Sequence, residues 1–400
     1  MDKPEAFASL DAATVCGESG VEANGSVALP PPTAVSAREA TSRDVVAEIW
    51  ARLLGHKARN DSARLIDLSV GAGRVYRLLT EIEQETGVAL PITVVFQAPT
   101  LKDLSEVVRQ RAWPRFEPQV LVKSGKIDTP SLMIFPGLGG SVFQLLDLAR
   151  LIVHPGATYI MQQQGLSGDA LPHTTIEAMA HFQLAAIKAV QPTGPYYLLG
   201  YSLGGIVALE VARLLSARGE DVAFLGMIEP GLPETLWPAS VRVGFLLNRV
   251  KHHWQMVRAQ ATTADAVGYI AGHMRPLVGR LCRLLGIDAG GWSPYTVDGL
   301  PNALAALRDA NIQAGYAYKL RPFHGAVKFL RSEHGDPLSC DPMKVWPRYL
   351  SHLTVWTMPG GHETILRGKY VKLLAEKISL LLEADASSPA ATAPCGSGTS

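Results

Sequence analysis

The sequence predicts an α/β fold: a mostly parallel, doubly wound sheet with a helical insertion, preceded by a small helical bundle. From about residue 130 onward, short apolar runs alternate with stretches of helical periodicity, a pattern typical of parallel strands joined by helices. Residues 238–310 interrupt this alternation with helical, strongly basic sequence. Residues 42–110 show helical periodicity alone, so we expect a separate all-helical domain there.

The N-terminal part of the chain divides into a polar leader and the helical bundle. Residues 1–41 are rich in Ala, Ser, Gly, Glu and Pro and lack an apolar period, so we expect them to be disordered. Within residues 42–110, apolar side chains recur at helical spacing from Val45 to Leu54 and from Val75 to Ile82. A short helix, Leu101–Val108, is predicted after Pro99. Three or four helices in about 70 residues make a bundle with a modest core.

The sheet domain is expected over residues 130–383, and residues 111–129, which contain two prolines, are expected to be a linker. The predicted strands are Ser131–Phe135, Thr158–Met161, Tyr196–Leu199, Val222–Ile228, Ala326–Leu330 and Leu353–Thr357. Helices are predicted at Ile176–Val190, Gly205–Ala217 and Gly368–Leu382. The basic insertion at 238–310 fits a lid, and the polar tail 384–400 is expected to be disordered.

Composition and charge exclude several classes of function. The 400-residue chain is 47% apolar, and its 37 Lys and Arg nearly balance 36 Asp and Glu. A net charge of +1 gives no reason to expect nucleic acid or an anionic membrane as partner. No apolar run reaches the roughly 18 residues of a membrane span, and the N-terminus does not resemble a secretory signal. The four cysteines are scattered, without a CxxC pair or a histidine cluster. We therefore expect a cytoplasmic protein without disulfides or a metal site.

A candidate nucleophile lies between a predicted strand and a predicted helix. Residues 200–204 read Gly-Tyr-Ser-Leu-Gly, which is the pattern G-x-S-x-G. The two glycines permit the sharp turn that lifts the Ser202 hydroxyl out of the sheet. The pentapeptide alone is a weak signal, because a chain of this length contains one by chance about once in five. Its placement between strand and helix favours Ser202 as a nucleophile over an ordinary serine in a glycine-rich turn.

A nucleophilic serine needs a base, and the base needs an orienting acid. His362 follows the last predicted strand, at the carboxyl end of the sheet, where a base can reach Ser202. Two carboxylates lie between Ser202 and His362 in the chain and give the order serine, acid, histidine expected for a nucleophile between a strand and a helix. Glu229 ends the strand Val222–Ile228, and Asp336 follows the next strand. We favour Glu229 as the acid, and Asp336 remains the alternative.

Two backbone amides are candidates to bind the oxyanion of an acyl-transfer intermediate. Leu203 directly follows the candidate nucleophile, and residues 135–140 read Phe-Pro-Gly-Leu-Gly-Gly after the first predicted strand. The N–H groups of Leu138 and Leu203 are therefore the predicted oxyanion donors. The same turn lacks G-x-G-x-x-G and the G-K-[ST] ending of phosphate loops, so nucleotide binding is not expected.

On these residues, the segment 130–382 resembles the thioesterase domain that ends nonribosomal peptide and polyketide synthases. The matching stretches are residues 135–140, 190–197, 200–205 and 359–362. The resemblance implies that Ser202 is the catalytic serine, His362 its histidine, and Glu229 the acid, where the family usually has aspartate. It also implies an α/β-hydrolase fold whose lid, at 238–310, covers an acyl channel.

Residues 42–110 resemble the carrier domain that precedes such thioesterases. The matching landmarks are residues 65–68, 87–91 and 96–101. In the family, a Gly-Gly-Asp/His-Ser-Leu motif carries phosphopantetheine on its serine, whereas residues 69–73 here read Ser-Val-Gly-Ala-Gly. Ala72 occupies the serine position and has no hydroxyl; Ser69, one helical turn earlier, is the alternative. We therefore expect no cofactor on this chain and place phosphopantetheine on a partner carrier.

The resemblance implies a thioesterase that releases an acyl, peptidyl or polyketide chain from a carrier protein of an upstream synthase. The reaction would pass through an acyl-Ser202 intermediate and end in hydrolysis or cyclisation. An editing thioesterase acting in trans and a non-catalytic docking protein are the alternatives. A generic esterase is disfavoured by the carrier-like bundle. Neither nucleic acid nor a membrane is expected as partner.

Overall fold

The computed structural model describes most of the chain between residues 45 and 386. The described ranges are 45–54, 63–65, 72–231, 237–258, 262, 302–334, 341–362 and 364–386. The predicted leader, most of the predicted lid and the predicted tail beyond residue 386 lie outside them. Ser69, Asp336 and the four cysteines are outside them as well.

A helical bundle forms the N-terminal part of the described chain. Its helices are α1 (45–54), α2 (Ala72–Thr86), α3 (Val94–Gln97) and α4 (Leu101–Gln110). The two predicted apolar stripes lie on α1 and α2, where Trp50, Leu78 and Ile82 are fully buried. Helix α4 begins at a capping box: the Thr100 hydroxyl accepts from the Asp103 N–H, and the Asp103 carboxylate accepts from the Thr100 N–H.

A seven-stranded sheet forms the rest of the fold. Its strands are β1 (Gln119–Lys123), β2 (Leu132–Phe135), β3 (Thr158–Met161), β4 (Tyr196–Tyr201), β5 (Val222–Ile228), β6 (Phe323–His334) and β7 (Leu350–Gly361). Their order is β1-β3-β2-β4-β5-β6-β7, with β1 antiparallel and the other neighbours parallel. The predicted parallel, doubly wound α/β class is confirmed.

Helices cover both faces of the sheet. They are α5 (Leu146–Leu151), α6 (Ile176–Val190), α7 (Leu203–Ser216) and α10 (Gly368–Ala386). Side chains alternate along β2: Leu132 and Ile134 join the core beneath α5 and α10, whereas Met133 and Phe135 join the core beneath α6 and α7. Because the central strands are buried on both faces, their sequence is continuously apolar rather than alternating.

The predicted linker, 111–129, contains β1, a strand that the sequence pattern did not predict. This strand pairs antiparallel with β3, with Val120 opposite Ile160. Val120 is the one buried side chain of its five residues, and prolines 114 and 118 precede it. An edge strand with a single buried side chain lacks the apolar run by which the central strands were recognised.

The C-terminal elements extend further than predicted. Strands β6 and β7 each have 12 residues, and α10 runs to Ala386, into the tail expected to be disordered from residue 384. Lys328 of β6 forms an ion pair with Asp385 near the end of this helix. The residues after Leu382 are polar and show no apolar period, and the ion pair with Lys328 joins distant parts of the chain. The end of the helix could therefore not be recognised from the sequence.

Two helices of the predicted lid are described. Helix α8 (Ala239–Arg258) comes after β5, and α9 (Asn302–Ala317) leads back to β6. The residue that follows α9, Tyr318, is buried, and its hydroxyl donates to the carboxylate of Glu210 on α7 at 2.8 Å. This contact fixes the C-terminal end of α9 to the core of the sheet domain.

The helical bundle packs directly on the sheet domain. Leu166, Leu304 and Leu307 belong to the same apolar cluster as the core of the bundle. In addition, the rings of Phe96 and Phe143 lie 5.0 Å apart. Since Leu304 and Leu307 are on α9, this helix is held against the bundle at one end and against α7 at the other.

Candidate active site

Strand β4 and helix α7 meet at Ser202 in a strained turn. Its φ of 52° and ψ of −123° are a conformation that residues other than glycine rarely adopt. The Ser202 N–H donates to the carbonyl of Ile228 on β5 at 2.8 Å, and its carbonyl accepts from the Gly205 N–H at 2.9 Å. Sheet and helix thus hold the strained residue in place, at the carboxyl edge of the sheet where ligands bind in such folds.

The two glycines of the pentapeptide are required by close backbone contacts. A Cβ atom at Gly200 would overlap the carbonyl oxygen of Gly204, and one at Gly204 would overlap the carbonyl oxygen of Phe135. The first glycine therefore lets α7 start directly against β4, and the second lets α7 approach β2. This explains the spacing of the motif in terms of packing.

His362 and Glu229 lie together at the same edge of the sheet. His362 follows β7 and Glu229 follows β5, and the His362 Nδ1 is 3.5 Å from the Glu229 Oε2. The Tyr201 hydroxyl donates to the carbonyl of His362 at 2.8 Å, and the two rings are stacked with centroids 5.3 Å apart. Because Nδ1 faces the carboxylate, Nε2 is the ring nitrogen suited to take a proton from Ser202.

Glu229 is held as a largely buried carboxylate. Its side chain is 11% exposed, and its Oε1 accepts a hydrogen bond from the Ser332 N–H. Its backbone has a φ of 49°, and its N–H donates to the carbonyl of Leu330 at 3.0 Å. Burial would raise the pKa of Glu229, but hydrogen bonds from His362 and Ser332 outweigh it and lower the pKa below its ordinary value. The group is therefore ionised at neutral pH.

The lowered pKa of Glu229 predicts a pH-dependent loss of stability in Glu229→Gln. A carboxyl group whose pKa is lower in the folded state stabilises the fold above its unfolded pKa of about 4.3, and this contribution is lost as the pH falls through the folded value. At pH 7 we expect a loss of about 1.5–3 kcal/mol, the size of a hydrogen bond to a charged group. The difference from wild type should shrink below pH 4.

Urea unfolding of both proteins between pH 3 and 7 measures this difference. Glu333→Gln is the matched control, because Glu333 is an exposed glutamate on the same strand as Ser332. It removes the same charge without removing a buried contact. A stability difference for Glu229→Gln that stays constant across the pH range would contradict the prediction.

The turn that contains the predicted oxyanion donor Leu138 lies beside Ser202. A Cβ atom at Gly137 would be 3.2 Å from the Ser202 Cβ. The Gly140 N–H donates to the carbonyl of Gly137 at 2.9 Å, which closes a four-residue β-turn with Leu138 as its second residue. The other predicted donor, Leu203, is the first residue of α7, so its N–H is among those that have no partner within the helix.

Two buried amide side chains beside this turn were not predicted. Asn311 of α9 donates from Nδ2 to the Leu138 carbonyl at 2.7 Å and to the Gln163 Oε1 at 2.6 Å. Asn311 is fully buried, and Gln163 is 5% exposed. Neither residue belongs to a motif, and Asn311 interrupts an otherwise ordinary helical pattern. A polar residue on the apolar side of a helix was the one signal that the sequence offered.

The start of α2 does not fit a phosphopantetheine attachment site. The helix begins at Ala72, the predicted position of the modified serine, and alanine has no oxygen that could form the phosphodiester. Helix α2 contains no serine. The alternative, Ser69, is outside the described residues, as is the alternative acid Asp336.

Along the described ranges, no three His, Cys, Asp or Glu side chains are grouped so that they could hold a metal ion. None of the helices in the same ranges is long and apolar enough to cross a membrane.

Two family models match the chain. Residues 130–242 match the model of a thioesterase domain, and residues 44–108 match the model of a phosphopantetheine attachment site. The first match includes Ser202, Leu138 and Glu229, and ends before His362. The second match includes the position of Ala72.

Curated relatives are large synthases of which this chain spans a small part. It is 31% identical to an indigoidine synthase of Streptomyces lavendulae over 204 residues, which are 50% of this chain and 16% of that protein. An indigoidine synthase of Dickeya dadantii is 32% identical over 213 residues, 53% of this chain and 14% of that protein. The malpibaldin synthetase of Mortierella alpina is 31% identical over 236 residues, 56% of this chain and 4% of that protein.

Solved structures with a similar chain path include multidomain and single-domain proteins. A four-domain nonribosomal peptide synthetase aligns over 90% of this chain and 27% of its own, with a TM-score of 0.49 and 19% identity. The NocB thioesterase domain, in covalent complex with a fluorophosphonate nocardicin G analogue, aligns over 64% of this chain and 95% of its own, with a TM-score of 0.42 and 22% identity.

Proposed function

We propose that this chain, which joins a carrier-type domain to a thioesterase domain homologous to the termination regions of nonribosomal peptide synthetases, releases acyl, peptidyl or polyketide chains from a carrier protein. The observation that carries the proposal is the strained Ser202 at the start of α7, at the sheet edge where the His362–Glu229 pair also lies. These three residues are the proposed catalytic serine, base and orienting acid.

The proposed reaction has two acyl-transfer steps. His362 takes the proton of the Ser202 hydroxyl, and the Ser202 oxygen forms a bond to the thioester carbonyl carbon. The N–H groups of Leu138 and Leu203 bind the oxyanion of the tetrahedral intermediate. Its collapse breaks the carbon–sulfur bond, and the thiol leaves with the proton from His362. Water, or a nucleophile on the acyl chain, then gives its proton to His362 and bonds to the acyl carbon. Collapse of this second intermediate breaks the bond to the Ser202 oxygen, which takes the proton back from His362.

We further propose that the thioester arrives on a separate carrier protein in the cytoplasm. Ala72 stands where a carrier domain needs a serine, so the attached bundle would not hold the substrate arm. Delivery in trans also fits an editing thioesterase that clears wrongly loaded carriers. That second function predicts similar rates for acyl groups of different length and no cyclic product.

Trapping of the acyl-enzyme tests the proposal. The protein is mixed with short acyl thioesters of N-acetylcysteamine, and free thiol and intact-protein mass are followed. We expect catalytic thiol release by the wild type, a transient mass increase of one acyl group, and neither with Ser202→Ala. Absence of turnover and of adduct for several acyl lengths would overturn the proposal and favour the docking protein. An adduct that persists in Ser202→Ala would place the nucleophile elsewhere.

A further inference from the structure

The first two peptide groups of the turn beside Ser202 are held by hydrogen bonds. The Gly140 N–H donates to the Gly137 carbonyl at 2.9 Å, which fixes the peptide group that carries the Leu138 N–H. The next peptide group, between Leu138 and Gly139, is held from outside the turn by the Asn311 Nδ2 at 2.7 Å. The form of the turn that carries the predicted oxyanion donor thus depends on a bond within the turn and on a side chain from another element.

The sequence of the turn allows more than one form. A glycine at the third position of a β-turn allows both type I and type II, which differ by a flip of the central peptide group. Gly139 occupies that position, and its φ is not positive in the structure, so the observed turn is not type II. Asn311 donates to the Leu138 carbonyl in the observed form, and a flip of this peptide group would break that bond.

The orientation of the Asn311 amide is itself determined. Its Nδ2 has two hydrogen atoms and faces two acceptors, the Leu138 carbonyl and the Gln163 Oε1. Exchange of Nδ2 and Oδ1 would place an oxygen against both acceptors, so the network permits one orientation. Gln163 also packs against the turn, since a Cβ at Gly140 would lie 2.8 Å from its Oε1.

Helix α9 holds Asn311 between two fixed points. One turn before it, Leu307 is 1% exposed, shares the apolar cluster of the helical bundle and lies close above Gly140. Two turns after it, Tyr318 is bonded to Glu210 of α7. Helix α9 is therefore anchored to the helical bundle, to the turn at 137–140 and to α7.

We propose that Asn311 is a positioning residue, which keeps the turn that carries the Leu138 N–H in its observed form by holding the adjacent Leu138–Gly139 peptide group. The inference rests on the proposed function for the identity of the reaction. Helix α9 would then help to arrange the turn that contains Leu138, and the helical bundle would support α9.

Two substitutions at Asn311 test the inference. Asn311→Leu removes the donor with little change in volume, and Asn311→Asp replaces the donor with an oxygen that faces two acceptors. With a short acyl thioester of N-acetylcysteamine, we expect kcat to fall by about 10- to 100-fold in both, less than the loss of a whole oxyanion donor, while KM changes by less than about 3-fold. An alkylboronic acid, which forms a tetrahedral adduct on a serine, should lose affinity by a similar factor. The matching alkyl thioether, which cannot form the adduct, should bind unchanged.

Tyr196→Phe is the matched control, because it removes the hydroxyl of a buried tyrosine, which bonds to the Pro192 carbonyl and Glu220, at the end of β4 opposite Ser202. It should lower the melting temperature yet keep kcat and boronate affinity. The inference is wrong if the Asn311 variants keep both values, or if Tyr196→Phe loses them equally. If the wild type hydrolyses no thioester, the proposed function fails separately. The rate at which a fluorophosphonate labels Ser202 then tests Asn311, since phosphonylation needs the same turn: a rate that is unchanged in both variants overturns the inference.

Discussion

Ser202→Ala and His362→Ala are each expected to lower kcat for thioester hydrolysis by about 10⁴- to 10⁶-fold, and the double variant is expected to lose no more. Without the base, the Ser202 hydroxyl keeps its proton and is a poor nucleophile; without the hydroxyl, the base has no proton to take. The two residues act as a unit, so the second removal costs little. The residual rate reflects the oxyanion donors and substrate binding alone.

Glu229→Gln should lower kcat less, by about 10³- to 10⁴-fold. The imidazole of His362 remains, but its tautomer is no longer fixed by a carboxylate. The same reasoning distinguishes the two candidate acids. If Asp336→Asn causes that loss and Glu229→Gln does not, the acid has been assigned wrongly.

Matched controls lie on the same elements. Ser216→Ala changes an exposed serine at the other end of α7, and His352→Ala changes an exposed histidine on β7. Neither should alter kcat by more than about 2-fold, as expected for exposed positions away from such a site. Additive losses for Ser202→Ala and His362→Ala would show that the two residues do not act together.

The candidate site could be predicted from the sequence where chain geometry forces particular residue types. Backbone contacts leave no room for a side chain at Gly200 or Gly204, so the turn at Ser202 has a recognisable sequence pattern. His362 and Glu229 follow apolar strands, and the carboxyl ends of parallel strands meet at one edge. The strand pattern therefore predicts that His362 lies near a carboxylate, with Glu229 and Asp336 as the two candidates.

Other features leave no pattern because they arise from contacts between distant elements. Asn311 bonds to Leu138 across 173 positions of the chain, and its local sequence shows no more than a polar residue on the apolar side of a helix. Strand β1 buries a single side chain, Val120, and gains its order from pairing with β3. The contact of the helical bundle with Leu304 and Leu307 is of the same kind. Packing and pairing energies of this sort decide local structure without a local signal.

The second large effect concerns the carrier-type domain, which we expect to remain unmodified. When the full chain is incubated with coenzyme A and a phosphopantetheinyl transferase of broad specificity, its intact mass should not change. A separate carrier protein with an intact serine motif, treated in the same vessel, should gain one phosphopantetheine group completely. The contrast is all-or-none, because a phosphodiester requires a hydroxyl and Ala72 has none.

Ser69→Ala and Ala72→Ser make the experiment decisive. A mass gain by the wild type that disappears in Ser69→Ala would assign the attachment to Ser69 and overturn the proposal of delivery in trans. A gain by Ala72→Ser alone would show that the start of α2 is still recognised and lacks only the hydroxyl. Since the bundle shares an apolar cluster with Leu166, Leu304 and Leu307, we expect its remaining task to be support of the neighbouring sheet domain rather than transport of an acyl chain.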